Sequence, residues 1–159
     1  MIPFEYRKAT REDIPELTRF FKETIGEVYG HILSRERLEP WLEGDMMDQE
    51  VNNLWQNMIV AEKGGAVMGV AARSDDMIHL LWIHPAHQRK GIGSALLDIV
   101  ETEVKTSGYE QAKMLCFSDN DTAMEFYRAR GWNPLCEEMS EELGVLITVM
   151  TKTLTKERG

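Results

Sequence analysis

The chain has 159 residues, of which 43% are hydrophobic and 28% charged, as expected for one globular domain with a sizeable core. Its net charge of −9 argues against general nucleic-acid binding, and no apolar run approaches the roughly 18 residues of a membrane span. The N-terminus lacks a secretory pattern, and Cys116 and Cys136 have no metal-ligand spacing. We therefore expect a cytoplasmic protein with reduced structural thiols and no metal, membrane or nucleic-acid partner.

The first third of the chain predicts one strand followed by helices. Phe4–Ala9 alternates like a strand, and Thr10 with the acidic residues after it is typical of a helix N-cap. Gly26 is predicted to interrupt the first helix, Ser34 to cap a shorter second one, and residues 44–56 to hold a further helical turn or two. The apolar face of the first helix carries Ile14, Leu17, Phe20, Phe21 and Ile25.

Three strands are predicted next. Met58–Glu62 and Ala66–Arg73 are apolar runs around a Gly-Gly turn, which indicates a β-hairpin. A third run, Ile78–Ile83, follows almost at once and forms the central strand. Because strand side chains alternate in direction, one face of this strand is predicted to carry Met77, His79, Leu81 and Ile83.

A basic turn with two glycines leads from the central strand into an amphipathic helix that Gly108 ends. No Ser, Thr, Asp or Asn stands immediately before Gly91 to cap the helix, so its first N–H groups, with their partial positive charge, lack a side-chain partner. Glycines let an anion approach these groups, which predicts a phosphate or pyrophosphate site. An ordinary basic loop is the alternative. Neither a Walker loop nor a dinucleotide fingerprint fits, because Lys90 precedes its glycine and position 96 is Leu96.

The remaining segments complete an α/β pattern. Lys113–Phe117 is predicted as a strand and Asn120–Arg130 as a helix, with Asn120 as its cap and Gly131 as its end. Trp132 begins another extended segment, a turn is predicted at Pro134 and Glu137–Glu142, and Val145–Leu154 is the last strand.

The order of these elements predicts a single α/β domain over residues 1–154 and a frayed tail at 155–159. Its sheet is expected to be mixed, mostly antiparallel and twisted, with about seven strands flanked by helices.

Two stretches carry a family resemblance. LLWIHPAHQRKGIGSALL resembles the central motif of the GNAT N-acetyltransferase superfamily, in which Gln/Arg-x-x-Gly-x-Gly/Ala follows a strand and opens a helix. NDTAMEFYRARGW is similar to that family's Asn-x-x-Ala-x-x-Phe-Tyr-x-x-x-Gly-Phe pattern, with Trp132 in the final aromatic place. The element order also matches, although residues 26–57 carry no recognisable motif. The resemblance implies acetyl transfer from acetyl-CoA to a primary amine by direct attack in a ternary complex.

The resemblance also implies which residues form the site. Asn120 is expected to bind the pantetheine arm, the backbone of Ile83 to bind pantetheine and polarise the thioester carbonyl, and Tyr127 to contact the cofactor and protonate the departing thiolate. A Tyr127 that only packs is the alternative. The pyrophosphate is expected at the loop formed by Gln88, Arg89, Lys90, Gly91, Ile92, Gly93 and Ser94, with Gly91 and Gly93 allowing close approach.

The sequence offers a candidate base for deprotonation of the acceptor amine, but not the residue type that many relatives use. Many relatives place a Glu on the central strand, but the corresponding residue is Met77. His79 is the candidate base, since an imidazole with a pKa near ~6.5 suits that task. A packing histidine, or deprotonation through water without a dedicated base, is the alternative.

The acceptor region is expected between the first and second strands. Carboxylates at six positions from Glu36 to Glu50 accompany Tyr29, His31, Trp41 and Trp55, which would suit a cationic amine, either a small molecule or a peptide. A solvated acidic face over packed tryptophans is the alternative, and a homodimer stays open. The rival function is a noncatalytic acyl-CoA-binding regulatory module on the same fold.

Overall fold

The computed structural model describes residues 4–88 and 90–154, and of Val28 the backbone only. Arg89 of the predicted loop and the predicted tail at 155–159 lie outside these residues. The strands are β1 (Glu5–Lys8), β2 (Met58–Lys63), β3 (Ala66–Ser74), β4 (Met77–Ile83), β5 (Gln111–Phe117), β6 (Asn133–Ser140) and β7 (Val145–Thr153). The helices are α1 (Ile14–Tyr29), α2 (Arg35–Leu42), α3 (Met46–Leu54), α4 (Ile92–Thr106) and α5 (Asp121–Ala129).

One seven-stranded sheet organises the part of the chain that the structure describes, in the order β1-β2-β3-β4-β5-β7-β6. Its neighbours are antiparallel except for β4 and β5, which run parallel. The predicted fold class, an α/β domain with a mixed, mostly antiparallel sheet, is confirmed. No helix among residues 4–88 and 90–154 is long and apolar enough to cross a membrane.

The central strands of the sheet are buried on both faces, because their alternate residues point into two separate cores, whereas the edge strand β6 is exposed. In β2, Ile59 and Ala61 pack with the apolar face of α4, whereas Met58 and Val60 pack with α1, α2 and α3. We call the first of these the α4 core, to which Val100 of α4 belongs, and the second the α1 core. The two layers place α4 and α1 on opposite sides of the same central strands.

The first helix differs from its prediction at both ends. Thr10 precedes a short 3₁₀ turn, and α1 itself begins at Ile14. The predicted interruption at Gly26 is wrong, because α1 continues to Tyr29. Ile25 and Tyr29, four residues apart, both pack into the α1 core. Their burial outweighs the roughly 1 kcal/mol by which glycine disfavours a helix relative to alanine.

Ser34 caps α2 as predicted, with its Oγ accepting the Arg37 backbone N–H at 3.2 Å. The predicted turn at Pro134 and Glu137–Glu142 is wrong over most of its length, because β6 runs from Asn133 to Ser140 and pairs with β7. An edge strand tolerates proline and glutamate, because one side of its backbone makes no ladder hydrogen bonds. The chain turns after β6 instead, where Gly144 has a φ of 71°.

A β-bulge interrupts the alternation of β4. Leu80 lies opposite Ala72 and Ile78 opposite Arg73, so His79 is an extra residue without a partner on β3. Ile78 consequently faces the α4 core together with Leu81 and Ile83. Met77 and His79 do not belong to that face, and the predicted four-residue face of β4 is wrong.

Candidate active site

The sheet opens between its two parallel strands. Pairing between β4 and β5 is confined to Met77 with Lys113 and Ile78 with Met114. Past these residues the strands separate, and a cleft of about 850 Å³ lies between them and the ends of α4 and α5. The predicted residues that line this cleft are His79, Ile83, Gln88, Gly91, Gly93, Ser94, Asn120 and Tyr127. Two others do not line it: Lys90 is exposed, and the side chain of Ile92 is buried in the core.

The N-terminus of α4 has the features of an anion site. Gly91 is its N-cap residue, with φ 84° and ψ 0°, and no side chain caps the helix. A Cβ at Gly91 would meet no atom within 4 Å, so this glycine serves the left-handed backbone conformation. The uncapped N–H groups of the first turn face a cleft lined by Gly93 and Ser94.

Gly93 has a packing role that the sequence did not indicate. A Cβ at this position would lie 3.3 Å from the Cζ atom of Phe126, which is tighter than ordinary contact. The glycine therefore lets α5 approach α4 closely. Close approach of a phosphate is an incomplete reason for glycine here, and a Gly93→Val substitution would disturb the packing of the two helices as well.

Arg130 is a candidate site residue that sequence reasoning missed. Its Nε donates a hydrogen bond to Ser94 Oγ at 3.0 Å, and its Nη1 donates to the Phe126 carbonyl at 3.0 Å. The guanidinium also lies 3.8 Å from the centroid of the Phe126 ring. Arg130 thus adds a fixed positive charge beside the N-terminus of α4. In the sequence it occupies a variable place of the second motif, so only its charge could have drawn attention to it.

Asn120 caps α5, with its Oδ1 accepting the Ala123 N–H at 3.3 Å. The side-chain amide makes no other hydrogen bond to the part of the protein that the structure describes, and Asn120 lines the cleft. Its Nδ2 can therefore donate to a ligand while Oδ1 caps the helix.

Tyr127 is 8% exposed and packs edge-on against Phe126 and Trp132, with ring centroids 5.3 Å and 6.3 Å away. Its hydroxyl makes no hydrogen bond to another described residue, and Tyr127 lines the cleft. Burial, reinforced by Cys116 and Tyr29, raises its pKa well above the usual value. The phenol therefore holds its proton throughout the neutral pH range.

His79, the bulged residue of β4, lines the cleft and also a second cavity beyond the gap between β4 and β5. Its side chain is exposed, and its Nε2 shares a hydrogen bond with Ser74 Oγ. Cys116 also borders both cavities, but burial raises the pKa of its thiol to about 11, which leaves it protonated and poorly nucleophilic at neutral pH.

The second cavity, of about 280 Å³, lies on the side of the sheet that carries α1, α2 and α3. We call it the aromatic pocket, after the side chains Phe21, Tyr29, Trp41, Trp82 and Phe117 in its wall. It meets the cleft through the gap between β4 and β5, because the two cavities share Tyr29, His79, Leu80, Trp82, Leu115, Cys116 and Phe117.

The residues of the predicted acceptor region lie in different places in the structure. Trp41 and Tyr29 line the aromatic pocket, and of the six carboxylates only Glu50 does so. His31 lines the cleft. Trp55 lines neither cavity and lies beside Arg11, whose Cζ is 5.9 Å from the indole centroid.

Comparison with known proteins identifies a matching family and several structures of similar fold. A family model described as "Acetyltransferase (GNAT) domain" matches residues 19–154. A GCN5-related N-acetyltransferase from Rhodopseudomonas palustris is similar with a TM-score of 0.78 and 23% identity, over 94% of this chain and 95% of that one.

Two further structures of similar fold carry a ligand. PaiA N-acetyltransferase from Thermoplasma acidophilum, in complex with coenzyme A, gives a TM-score of 0.78 at 20% identity, over 95% of this chain and 99% of that one. YncA from Salmonella typhimurium, a putative acetyltransferase with its cofactor acetyl-CoA, gives a TM-score of 0.73 at 18% identity, over 99% of this chain and 97% of that one.

Proposed function

Because the chain belongs to the GNAT acetyltransferase family, we propose that it moves the acetyl group of acetyl-CoA to a primary amine within a ternary complex. The observation that carries this proposal is the gap between β4 and β5, through which two separate cavities meet. A thioester in one cavity and an amine in the other would come into contact at this gap. Similar folds that bind coenzyme A and acetyl-CoA support the identity of the first ligand.

The cleft has the features that the cofactor requires. Its phosphates would lie at the Gln88–Ser94 loop, held by the uncapped N–H groups of α4 and by the charge of Arg130. Ile92 would contribute only its backbone, since its side chain is 1% exposed. Pantetheine would extend along β4 toward the gap, where the Ile83 backbone and the free Nδ2 of Asn120 can bind it.

The proposed chemistry starts with loss of a proton from the ammonium group, to His79 or to water. The amine nitrogen then attacks the thioester carbonyl carbon, the C–N bond forms, and the C–S bond breaks. The departing thiolate takes the hydroxyl proton of Tyr127, and the tyrosinate is reprotonated by the second proton that the nitrogen releases. The net products are the acetamide, CoA thiol and one proton.

Thiol release tests this function directly. The protein is mixed with acetyl-CoA and a panel of primary amines, and free thiol is measured alongside calorimetric binding of CoA. We expect release that requires both acetyl-CoA and an amine. CoA binding with no amine-dependent release for any member of the panel would identify a noncatalytic acyl-CoA-binding module instead.

A further inference from the structure

We propose that the acceptor is a hydrophobic primary amine that carries a single positive charge and no carboxylate, and that its apolar group occupies the aromatic pocket. This assignment rests on the acetyl transfer proposed above and narrows its acceptor to one chemical class. An amine bearing an aryl or branched alkyl group on a short chain fits that class.

Four aromatic rings in the wall of the pocket form one connected set. Ring centroids lie 5.1 Å apart for Phe21 and Trp82, 5.3 Å for Tyr29 and Trp82, and 4.6 Å for Tyr29 and Phe117, all in edge-to-face geometry. This packing holds the rings in place before a ligand arrives. An apolar ligand gains from such a surface, whereas the charges of a polyamine beyond the one that Glu50 can pair would lose their hydration there.

The size of the pocket agrees with one ring and a short chain. An apolar cavity of about 150 Å³ takes a benzene molecule, and the aromatic pocket measures about 280 Å³. Leu143, in the turn between β6 and β7, forms part of its wall. Arg37 of α2 fixes this turn by donating a hydrogen bond to the Glu142 carbonyl. The wall is therefore anchored to the helices on the far side of the pocket.

Glu50 supplies the charge preference. It is half-buried, it is the one carboxylate in the described lining, and it forms no ion pair within residues 4–88 and 90–154. Its helix neighbour Asp48 is already paired with Lys22 at 3.3 Å.

The tyrosine and the cysteine of the pocket do not offset this charge. Burial raises the pKa of Tyr29 to about 12 and that of Cys116 to about 11, so both are neutral at pH 7. His79, at the gap, is the other titratable residue of the wall. An unpaired carboxylate in apolar surroundings attracts an ammonium group and repels a carboxylate, so amines are favoured over amino acids of the same shape.

Two acceptors that differ only in a carboxylate give the sharpest test. Phenethylamine and phenylalanine are compared by kcat/KM from thiol release, with spermidine and a lysine-containing peptide as acceptors of other classes. We expect phenethylamine to have the highest kcat/KM of the four and to exceed phenylalanine by at least about tenfold. The reason is that two like charges placed next to each other, here the carboxylates of Glu50 and phenylalanine, cost several kcal/mol. In Glu50→Gln this ratio should fall about tenfold or more. Glu43→Gln, which removes an exposed charge outside the pocket, should leave the ratio unchanged.

The possible outcomes separate the acceptor class from the reaction itself. Better turnover of spermidine or the peptide, or a ratio unaltered by Glu50→Gln, overturns the hydrophobic acceptor and leaves acetyl transfer intact. An equal fall in both variants also overturns it, since the effect would then be one of general surface charge. Absence of thiol release with every amine overturns the acetyl transfer and the acceptor with it. Calorimetric binding of phenethylamine to CoA-loaded protein, lost in Glu50→Gln, supports the pocket independently of turnover.

Discussion

Removing the hydroxyl of Tyr127 should separate catalysis from folding. Tyr127→Phe keeps the ring, and with it the edge-on contacts to Phe126 and Trp132. A hydrogen bond within the protein contributes about 0.5–1.5 kcal/mol, but this hydroxyl makes no hydrogen bond to another described residue. The free energy of unfolding should therefore change by less than about 0.5 kcal/mol, a Tm shift below about 2 °C for a chain of this length.

The rate should respond very differently. Loss of one general acid lowers a rate by about 10²–10⁴-fold, which corresponds to about 3–5 kcal/mol of activation free energy. The loss should appear in kcat, with CoA affinity preserved, because the proton is needed only as the C–S bond breaks. The measurements are kcat from thiol release at saturating acetyl-CoA and amine, the Kd of CoA by calorimetry, and Tm by thermal unfolding.

Tyr29→Phe is the matched comparison. Tyr29 lines the same gap, is also largely buried, and has a pKa that burial raises to about 12. If Tyr127 is the acid, Tyr29→Phe should retain kcat within severalfold. Full activity in Tyr127→Phe, or a loss found in Tyr29→Phe alone, would refute the assignment of the acid to Tyr127.

Substitutions at three further positions test other parts of the structure. Gly91→Ala should destabilise the fold by about 1–2 kcal/mol and weaken CoA binding, because residue 91 has a positive φ. Asparagine tolerates that conformation, so Gly91→Asn should lose less stability and less CoA affinity. Equal losses in the two variants would contradict this explanation. Asn120→Asp should keep the α5 cap and the Tm but raise the Kd of CoA, and an unchanged Kd would reduce Asn120 to a cap. Asp13 is paired with Arg7 at 2.7 Å, which lowers its pKa to about 2. Its stabilisation, about 1–2 kcal/mol after solvent screening, is complete above about pH 4 and is lost as the pH falls toward 2, so chemical denaturation of Asp13→Asn should show a flatter pH dependence there.

The sequence predicts best where local signals act alone. Asn120 correctly indicates the start of α5. The pair Gly64 and Gly65, both with positive φ, correctly indicates the hairpin between β2 and β3. The bulge at His79 had no such signal, because an extra residue in β4 is defined only by its register against β3. Alternation therefore assigned Met77 to the wrong face.

The two cavities depend on residues that are distant along the chain, which limits what composition can reveal. Trp41 and Trp55 occur in the same acidic region, yet the first lines the aromatic pocket and the second lies beside Arg11. Arg130 reaches Ser94 only because α5 packs on α4 through Phe126 and Gly93. Such proximity is a property of tertiary packing, and no local pattern encodes it.

The gap between β4 and β5 has a kinetic consequence. The aromatic pocket lies against α1, α2 and α3, whereas the predicted phosphate end of the cleft lies at the N-terminus of α4, so an acceptor in the pocket does not cover the phosphate site. Each substrate can bind to the free protein, so initial-rate lines for one substrate at fixed levels of the other should intersect, with no obligatory order of addition. The acetylated product can likewise leave the aromatic pocket while CoA is still held in the cleft.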